Sequence, residues 1–139
     1  MKYRLLISSL ILGMASVRSN AQWAHKIGFK KTDVISKISI ENNSEFENVG
    51  TSSDGKNYLL YRDKERFYFE YIYYFDNNAI CIADGFIVTK VNYTGLVTQF
   101  NHDYKLISDD VWEDDVKQLK VAIRAIPSTE KILVEFSKL

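Results

Sequence analysis

The chain has 139 residues, in which 18 lysines and arginines balance 18 aspartates and glutamates. This balance leaves no basic excess to attract nucleic acid or an anionic membrane surface, so neither is expected as a partner. Cys81 is the single cysteine, which excludes an internal disulfide, and its apolar neighbours Ile80 and Ile82 predict a buried, unreactive thiol.

The N-terminal residues 1–21 follow the order of a secretory signal peptide. Lys2 and Arg4 form a basic start, an apolar run follows, and Ser19-Asn20-Ala21 is a small-x-small cleavage site. The apolar run is about eleven residues long, whereas roughly twenty are needed to span a bilayer, so a membrane anchor is not predicted. Cleavage after Ala21 leaves residues 22–139, which are 118 of the 139, as a single α+β domain. We expect it to be exported, either periplasmic or secreted, with no integral membrane segment.

A helix, a polar loop and three strands are predicted next. Thr32 is placed as a helix N-cap, and Val34, Ile35 and Ile38 have the spacing of one apolar helix stripe. The polar and small residues that follow predict a loop, with room for an edge strand around 46–49. Strands of the sheet are predicted at residues 56–62, 66–75 and 79–91.

The second of these strands alternates, which predicts two different sheet faces. The core face is expected to carry five rings, at Phe67, Phe69, Tyr71, Tyr73 and Phe75. The other face is expected to be wetter and open, and it carries Tyr68, Glu70, Ile72 and Tyr74. In the third strand, Asp84-Gly85 fits either a hairpin turn or a bulge in one long strand, and the pair alone does not decide.

The rest of the chain predicts a second helix, a strand, a helical turn and a final hairpin. The helix follows Asn92, and its apolar stripe consists of Tyr93, Leu96, Val97, Phe100 and Tyr104. A strand at 104–107 and a helical turn around Val111–Trp112 precede a hairpin built around Pro127. The predicted fold is therefore α+β: an antiparallel sheet of about five to six strands with two helices packed on one face, in the order α-β-β-β-α-β-β-β.

This arrangement resembles a family of uncharacterised short exported bacterial proteins. The matching residues are Ala21-Gln22, Asn57-Tyr58-Leu59-Leu60-Tyr61, Phe75 to Cys81 with its Asn-x-x-Cys turn and strand, Phe100-Asn101 with Tyr104, and Ser108 with Trp112. More distantly, Thr32-Asp33-Val34-Ile35 is similar to the first helix of β-lactamase-inhibitor-like and outer-membrane-assembly lipoprotein folds. The resemblance implies a helix and a Tyr/Phe-rich antiparallel sheet, and the family brings no established activity with it.

Candidates for chemistry are few. Five carboxylates lie between Asp109 and Asp115, but their spacing does not fit a calcium loop, and a solvated cap and loop is the simpler interpretation. His25 and His102 have no second histidine or cysteine at metal-ligand spacing. Neither a nucleophile motif nor a phosphate-binding loop occurs, so no catalytic residue, metal or cofactor is predicted.

The predicted binding site is the wetter sheet face, because tyrosine combines a large contact area with a polar tip and is enriched where proteins bind. Its residues are Tyr68, Glu70, Tyr74, Lys120 and Arg124. The same residues also fit cross-strand pairs that merely stabilise a solvated sheet. We expect a small, non-catalytic binding module that contacts another envelope protein through this face or an edge strand. The alternatives are a periplasmic hydrolase using carboxylates near Asp109 to Asp115, and a structural subunit that dimerises through its sheet.

Overall fold

A computed structural model describes residues 24–41, 44–66 and 69–139, with side chains described throughout except at 39–41. The predicted signal peptide lies outside these ranges. The described chain forms two helices of eleven residues each and eight strands. The elements in chain order are α1 (Lys31–Glu41), β1 (Ser44–Thr51), β2 (Asn57–Asp63), β3 (Glu70–Phe75), β4 (Cys81–Thr89), a 3-10 turn (Lys90–Asn92), α2 (Tyr93–Asp103), β5 (Lys105–Ser108), β6 (Val111–Asp114), β7 (Leu119–Ala125) and β8 (Lys131–Lys138).

The predicted sheet of five to six strands with two helices packed on one face is wrong. All eight strands form one antiparallel sheet in the order β1-β2-β3-β4-β8-β7-β6-β5, so the described chain is mostly sheet with two short helices. The clearest local error concerns Val111–Trp112, which form part of β6 and not a helical turn. Asp110 has a positive φ of 60° in the turn that reverses the chain between β5 and β6. Trp112, two residues later, is buried in the core.

The topology divides the described chain into two similar halves. Each half is one helix followed by four consecutive antiparallel strands: α1 with β1 to β4, and α2 with β5 to β8. The fourth strands of the two halves, β4 and β8, pair at the centre of the sheet, with Phe86 opposite Val134. The first strands, β1 and β5, therefore form the two outer edges. The similarity of the two halves lies in the order and pairing of their elements.

The larger core cluster lies on the face that the odd-numbered residues of β3 share. Each helix contributes two buried side chains to it, Val34 and Ile38 from α1 and Leu96 and Phe100 from α2. Each such aliphatic or aromatic side chain contributes about 1.5–3 kcal/mol when it is fully removed from water. The buried Trp112 lies edge-to-face with a ring of α2, with 5.3 Å between the ring centroids, which fixes α2 over β6.

Alternation in β3 is correctly predicted, but the openness of its second face is not. All six residues of β3 are buried, and Glu70 and Tyr74 are only 4% and 6% exposed. They belong to a second face on which Ile72, Ile87 and Leu133 form part of a smaller apolar cluster. β3 has a neighbouring strand on each side, so large side chains from β2 and β4 flank its own, which explains much of this burial.

Gly85 marks neither a turn nor a bulge, because β4 runs continuously through it. The irregularity in β4 lies nearer its start, where the register against β3 shifts between Tyr74 and Phe75. A Cβ atom at Gly85 would overlap the carbonyl oxygen of Val134 and lie 3.1 Å from the Cα atom of Glu135. Glycine is therefore needed for the close approach of the β8 backbone.

The helix ends differ slightly from prediction. α1 begins at Lys31, one residue before the predicted cap Thr32. Asn92 precedes α2 as predicted, but its side chain donates to the carbonyl oxygen of Thr89 at 3.2 Å and does not cap the helix. Within residues 24–41, 44–66 and 69–139, neither helix is long and apolar enough to cross a membrane.

Candidate interaction surfaces

The sheet places the described members of the predicted site on one face, but it does not make them one exposed patch. Cross-strand pairing aligns Glu70 on β3 with Arg124 on β7, and Tyr74 on β3 with Lys120 on β7. Three strand spacings separate the members of each pair, or about 14 Å at roughly 4.8 Å per strand. The β3 members are buried and the β7 members are exposed. Tyr68, the fifth predicted residue, lies outside the described residues.

Glu70 belongs to a network of four charged side chains that joins β1, β2, β3 and β8. Lys131 Nζ donates to Glu70 Oε1 at 2.9 Å, Arg62 forms an ion pair with Glu47, and the carboxyl groups of Glu47 and Glu70 are hydrogen-bonded to each other. The hydrogen bond to Glu70 and burial raise the pKa of Glu47. Burial by itself would raise the pKa of Glu70, but the hydrogen bonds from Glu47 and Lys131 lower it.

In an active site, the two groups of such a carboxyl pair can have different pKa values, so that one acts as an acid and the other as a base. Here each carboxyl group is also held by a cation, Glu47 by Arg62 and Glu70 by Lys131. The arrangement therefore fastens the edge strand β1 to the interior of the sheet. It explains why a glutamate, Glu70, occurs at the start of the aromatic strand β3, on the face that was expected to be open.

Tyr74 lies opposite Tyr58 on the same face, with 6.0 Å between the ring centroids. Burial, together with the nearby carboxylate of Glu135, raises the pKa of Tyr74 to about 12. Arg124 donates to that carboxylate at 2.6 Å. Tyr74 is therefore a neutral side chain in a packed row, and Arg124 is the more accessible part of the predicted site.

The acidic run does not form one site. Strand β6 separates Asp109 and Asp110 at one end from Asp115 at the other. The hydroxyl group of Tyr93 donates to Asp110 at 2.5 Å, and Asp114 accepts two backbone N–H groups of the following turn. No group of three or more metal-ligating side chains occurs in the described part of the chain. The carboxylates available for the alternative hydrolase are thus spread over β6 and the turns at its two ends.

A histidine–aspartate pair that the sequence analysis misses lies at the start of the described chain. Asp84 is buried, its Oδ1 shares a 2.7 Å hydrogen bond with His25 Nδ1, and its Oδ2 accepts the backbone N–H of Lys26 at 2.8 Å. The imidazole also packs against Phe136, with 4.8 Å between the ring centroids. No sequence signal indicates this pair, because 59 residues separate its members.

A carboxylate that orients an imidazole is a component of many acid–base sites. The cavity beside His25 is only about 20 Å³, which is room for a single water molecule. Among the described residues, no hydroxyl or thiol nucleophile is hydrogen-bonded to the imidazole. Gly28 also donates its backbone N–H to Cys81 at 2.7 Å. The pair therefore fastens the segment 24–30, which we call the N-terminal strap, to β4.

A groove between α1 and the edge strand β1 has the dimensions of a binding site. Its volume is about 420 Å³. Phe46 and Val49 of β1 line it and remain 56% and 55% exposed, so the groove continues as an apolar surface along this edge. The other apolar lining residues are Ile35, Ile38, Leu59 and Tyr61. An extended segment could place alternate side chains here while it pairs with β1.

The two outer strands differ in charge. β1 contains Glu45 and Glu47 and no basic residue, whereas the four residues of β5 include Lys105 and no acidic residue. No strand within 24–41, 44–66 and 69–139 pairs with the outer side of either one. Like β1, β5 exposes apolar side chains, with Leu106 at 56%. Unpaired edges of this kind are where further strands can add to a sheet.

Comparison with known proteins gives no match, whether to a family model, to a curated protein or to a solved structure. The resemblance to short exported bacterial proteins stays a prediction.

Proposed function

We propose that this protein is a small, exported, non-catalytic binding module of the cell envelope. In this proposal it binds an extended segment of another envelope protein, which adds as a strand to the outer side of β1. The observation that carries the proposal is the apolar groove of about 420 Å³ beside this edge, with Phe46 and Val49 left more than half exposed.

Strand addition divides binding between the backbone and the side chains. Main-chain hydrogen bonds to the edge supply affinity, and pockets for alternate side chains supply specificity. Phe46 and Val49 lie on the face of β1 that continues the larger core, because they pair with Tyr61 and Leu59. The partner segment should therefore present apolar side chains on that side.

The acidic residues of β1 determine which charge the partner segment should carry on its second face. Glu45 pairs with Arg62 and lies on the second face, and no basic residue of β1 offsets it. Opposite charges across two strands are favourable, whereas like charges directly opposite are destabilising. The segment that fits β1 thus alternates apolar residues with basic ones.

A labelled nine-residue peptide in which valine alternates with lysine tests this proposal, and a peptide that alternates valine with glutamate is its control. Binding is measured by fluorescence anisotropy. A phenylalanine side chain has roughly 200 Å² of surface, so covering the exposed 56% of Phe46 contributes up to about 3 kcal/mol. We expect Phe46→Lys to weaken binding of the Val/Lys peptide at least tenfold.

Leu106→Lys is the matched control variant, because Leu106 is equally exposed but lies at the opposite edge of the sheet. It should leave the peptide affinity unchanged. Equal binding of the two peptides, or equal effects of the two substitutions, would argue against strand addition at β1.

A further inference from the structure

We propose that copies of this protein join edge to edge, with β5 of one copy adding as a strand to β1 of the next. The inference rests on the proposed function, because it takes β1 as a strand acceptor. It goes further by naming one strand that β1 accepts, the β5 strand of a second copy. Strand direction, apolar surface and charge each support this pairing.

The topology sets the direction of the strands at such a junction. The eight strands alternate in direction, so the outermost two, β1 and β5, run opposite to each other. A second copy placed beside the first by translation along the sheet therefore brings β5 against β1 in an antiparallel pair. The core face of one copy then continues as the core face of the next.

The apolar side chains of the two edges meet on the same face in this arrangement. Val49 belongs to the cross-strand row that runs through Leu59 and Tyr73 on the core face. Leu106 pairs with Trp112, which belongs to the same core cluster. Joining the edges places Leu106 beside Phe46 and Val49, and each of the three is at least 55% exposed in the separate molecule.

The charges of the two edges are complementary on the second face. Lys105, Glu113 and Lys120 already alternate in sign across β5, β6 and β7. Glu45 of β1 lies on the same face, and it is diagonal to Lys105 when Leu106 stands opposite Phe46, within reach of the long lysine side chain. Pairing β1 with β1 would instead bring acidic strands together, and pairing β5 with β5 would bring lysines together.

The resulting contact is heterologous, since it joins two different edges. A contact of this type does not close after two copies, so it leads to longer assemblies. β5 has only four residues, which keeps each junction small. Association is therefore expected to be weak and to grow with protein concentration.

Two edge variants test the inference by sedimentation velocity. Phe46→Lys blocks β1 and leaves β5 intact, whereas Leu106→Lys blocks β5 and leaves β1 intact. We expect the wild-type protein to form a concentration-dependent series of species. Association of each variant alone should be weakened at least tenfold, so each should sediment as a monomer at concentrations where the wild type associates. An equimolar mixture of the two should form a dimer and nothing larger, because only one pair of compatible edges remains.

Circular dichroism establishes that both variants are folded, and their equal exposure makes them comparable. A monomeric wild-type protein at every concentration would overturn the inference, and the peptide experiment would then decide the proposed function separately. Dimers of Leu106→Lys alone would show β1 pairing with β1, and dimers of Phe46→Lys alone would show β5 pairing with β5. Each of these results contradicts head-to-tail assembly.

Discussion

Replacing Gly85 with alanine tests the account of how the two halves of the sheet are joined. Gly85 lies on β4 where it pairs with β8, opposite Glu135. The added Cβ atom would overlap the carbonyl oxygen of Val134 and lie 3.0 Å from its carbonyl carbon. Both are backbone atoms in the centre of the sheet, so no side-chain rotation relieves the overlap. The two central strands must move apart.

Inserting atoms into a well-packed site typically destabilises by about 1–3 kcal/mol, and a backbone contact belongs at the upper end of that range. We expect Gly85→Ala to lower the free energy of unfolding by about 3 kcal/mol, which corresponds to roughly 10 °C in Tm for a domain of this size. Urea unfolding followed through the fluorescence of the buried Trp112 measures the change.

Gly50→Ala provides a comparison at the edge of the sheet. Its Cβ atom would meet the hydroxyl end of Tyr58, a side chain that can rotate away, so the loss of stability should be much smaller. If Gly85→Ala and Gly50→Ala destabilise the protein equally, or if Gly85→Ala changes stability by less than about 0.5 kcal/mol, the close approach of β8 does not explain the glycine.

Three further predictions concern titratable groups. Asp84→Asn should weaken the hold on His25 and make the N-terminal strap more sensitive to limited proteolysis. Glu47, whose pKa is raised, contributes stability below pH 4.5, and this contribution is lost as the pH rises through the raised pKa. Glu70, whose pKa is lowered, contributes stability above pH 4.5, and this contribution is lost as the pH falls through the lowered pKa. Glu47→Gln should therefore gain stability relative to the wild type as the pH rises from about 4 to about 8 in urea titrations. Burial raises the pKa of Cys81 to about 12, so a thiol reagent should label it only after unfolding.

Local patterns predict much of the sheet correctly. The hairpin predicted around Pro127 is present as β7 and β8, and its residues Val121, Ile123 and Val134 are buried. The helical spacing from Tyr93 to Tyr104 locates α2 to within about one residue. These features depend on neighbours in sequence, which is why composition and period suffice to find them.

Such local patterns do not predict features that depend on contacts between residues far apart in the sequence. Val111–Trp112 follow two aspartates that suit a helix cap, and only the buried position of Trp112 against α2 makes the segment a strand. The burial of Glu70 depends on a lysine 61 positions away. The pairing of β4 with β8, which makes one sheet from two halves, has no local signal at all.

That central pairing also has a consequence for the time course of folding. Ribosomes release a chain from its N-terminus, so β8 emerges after all the other described strands. Until then β4 has no neighbouring strand on one side, because the residues that pair with it there lie about 50 positions downstream. A chain truncated before residue 131 would keep that side open permanently and should aggregate.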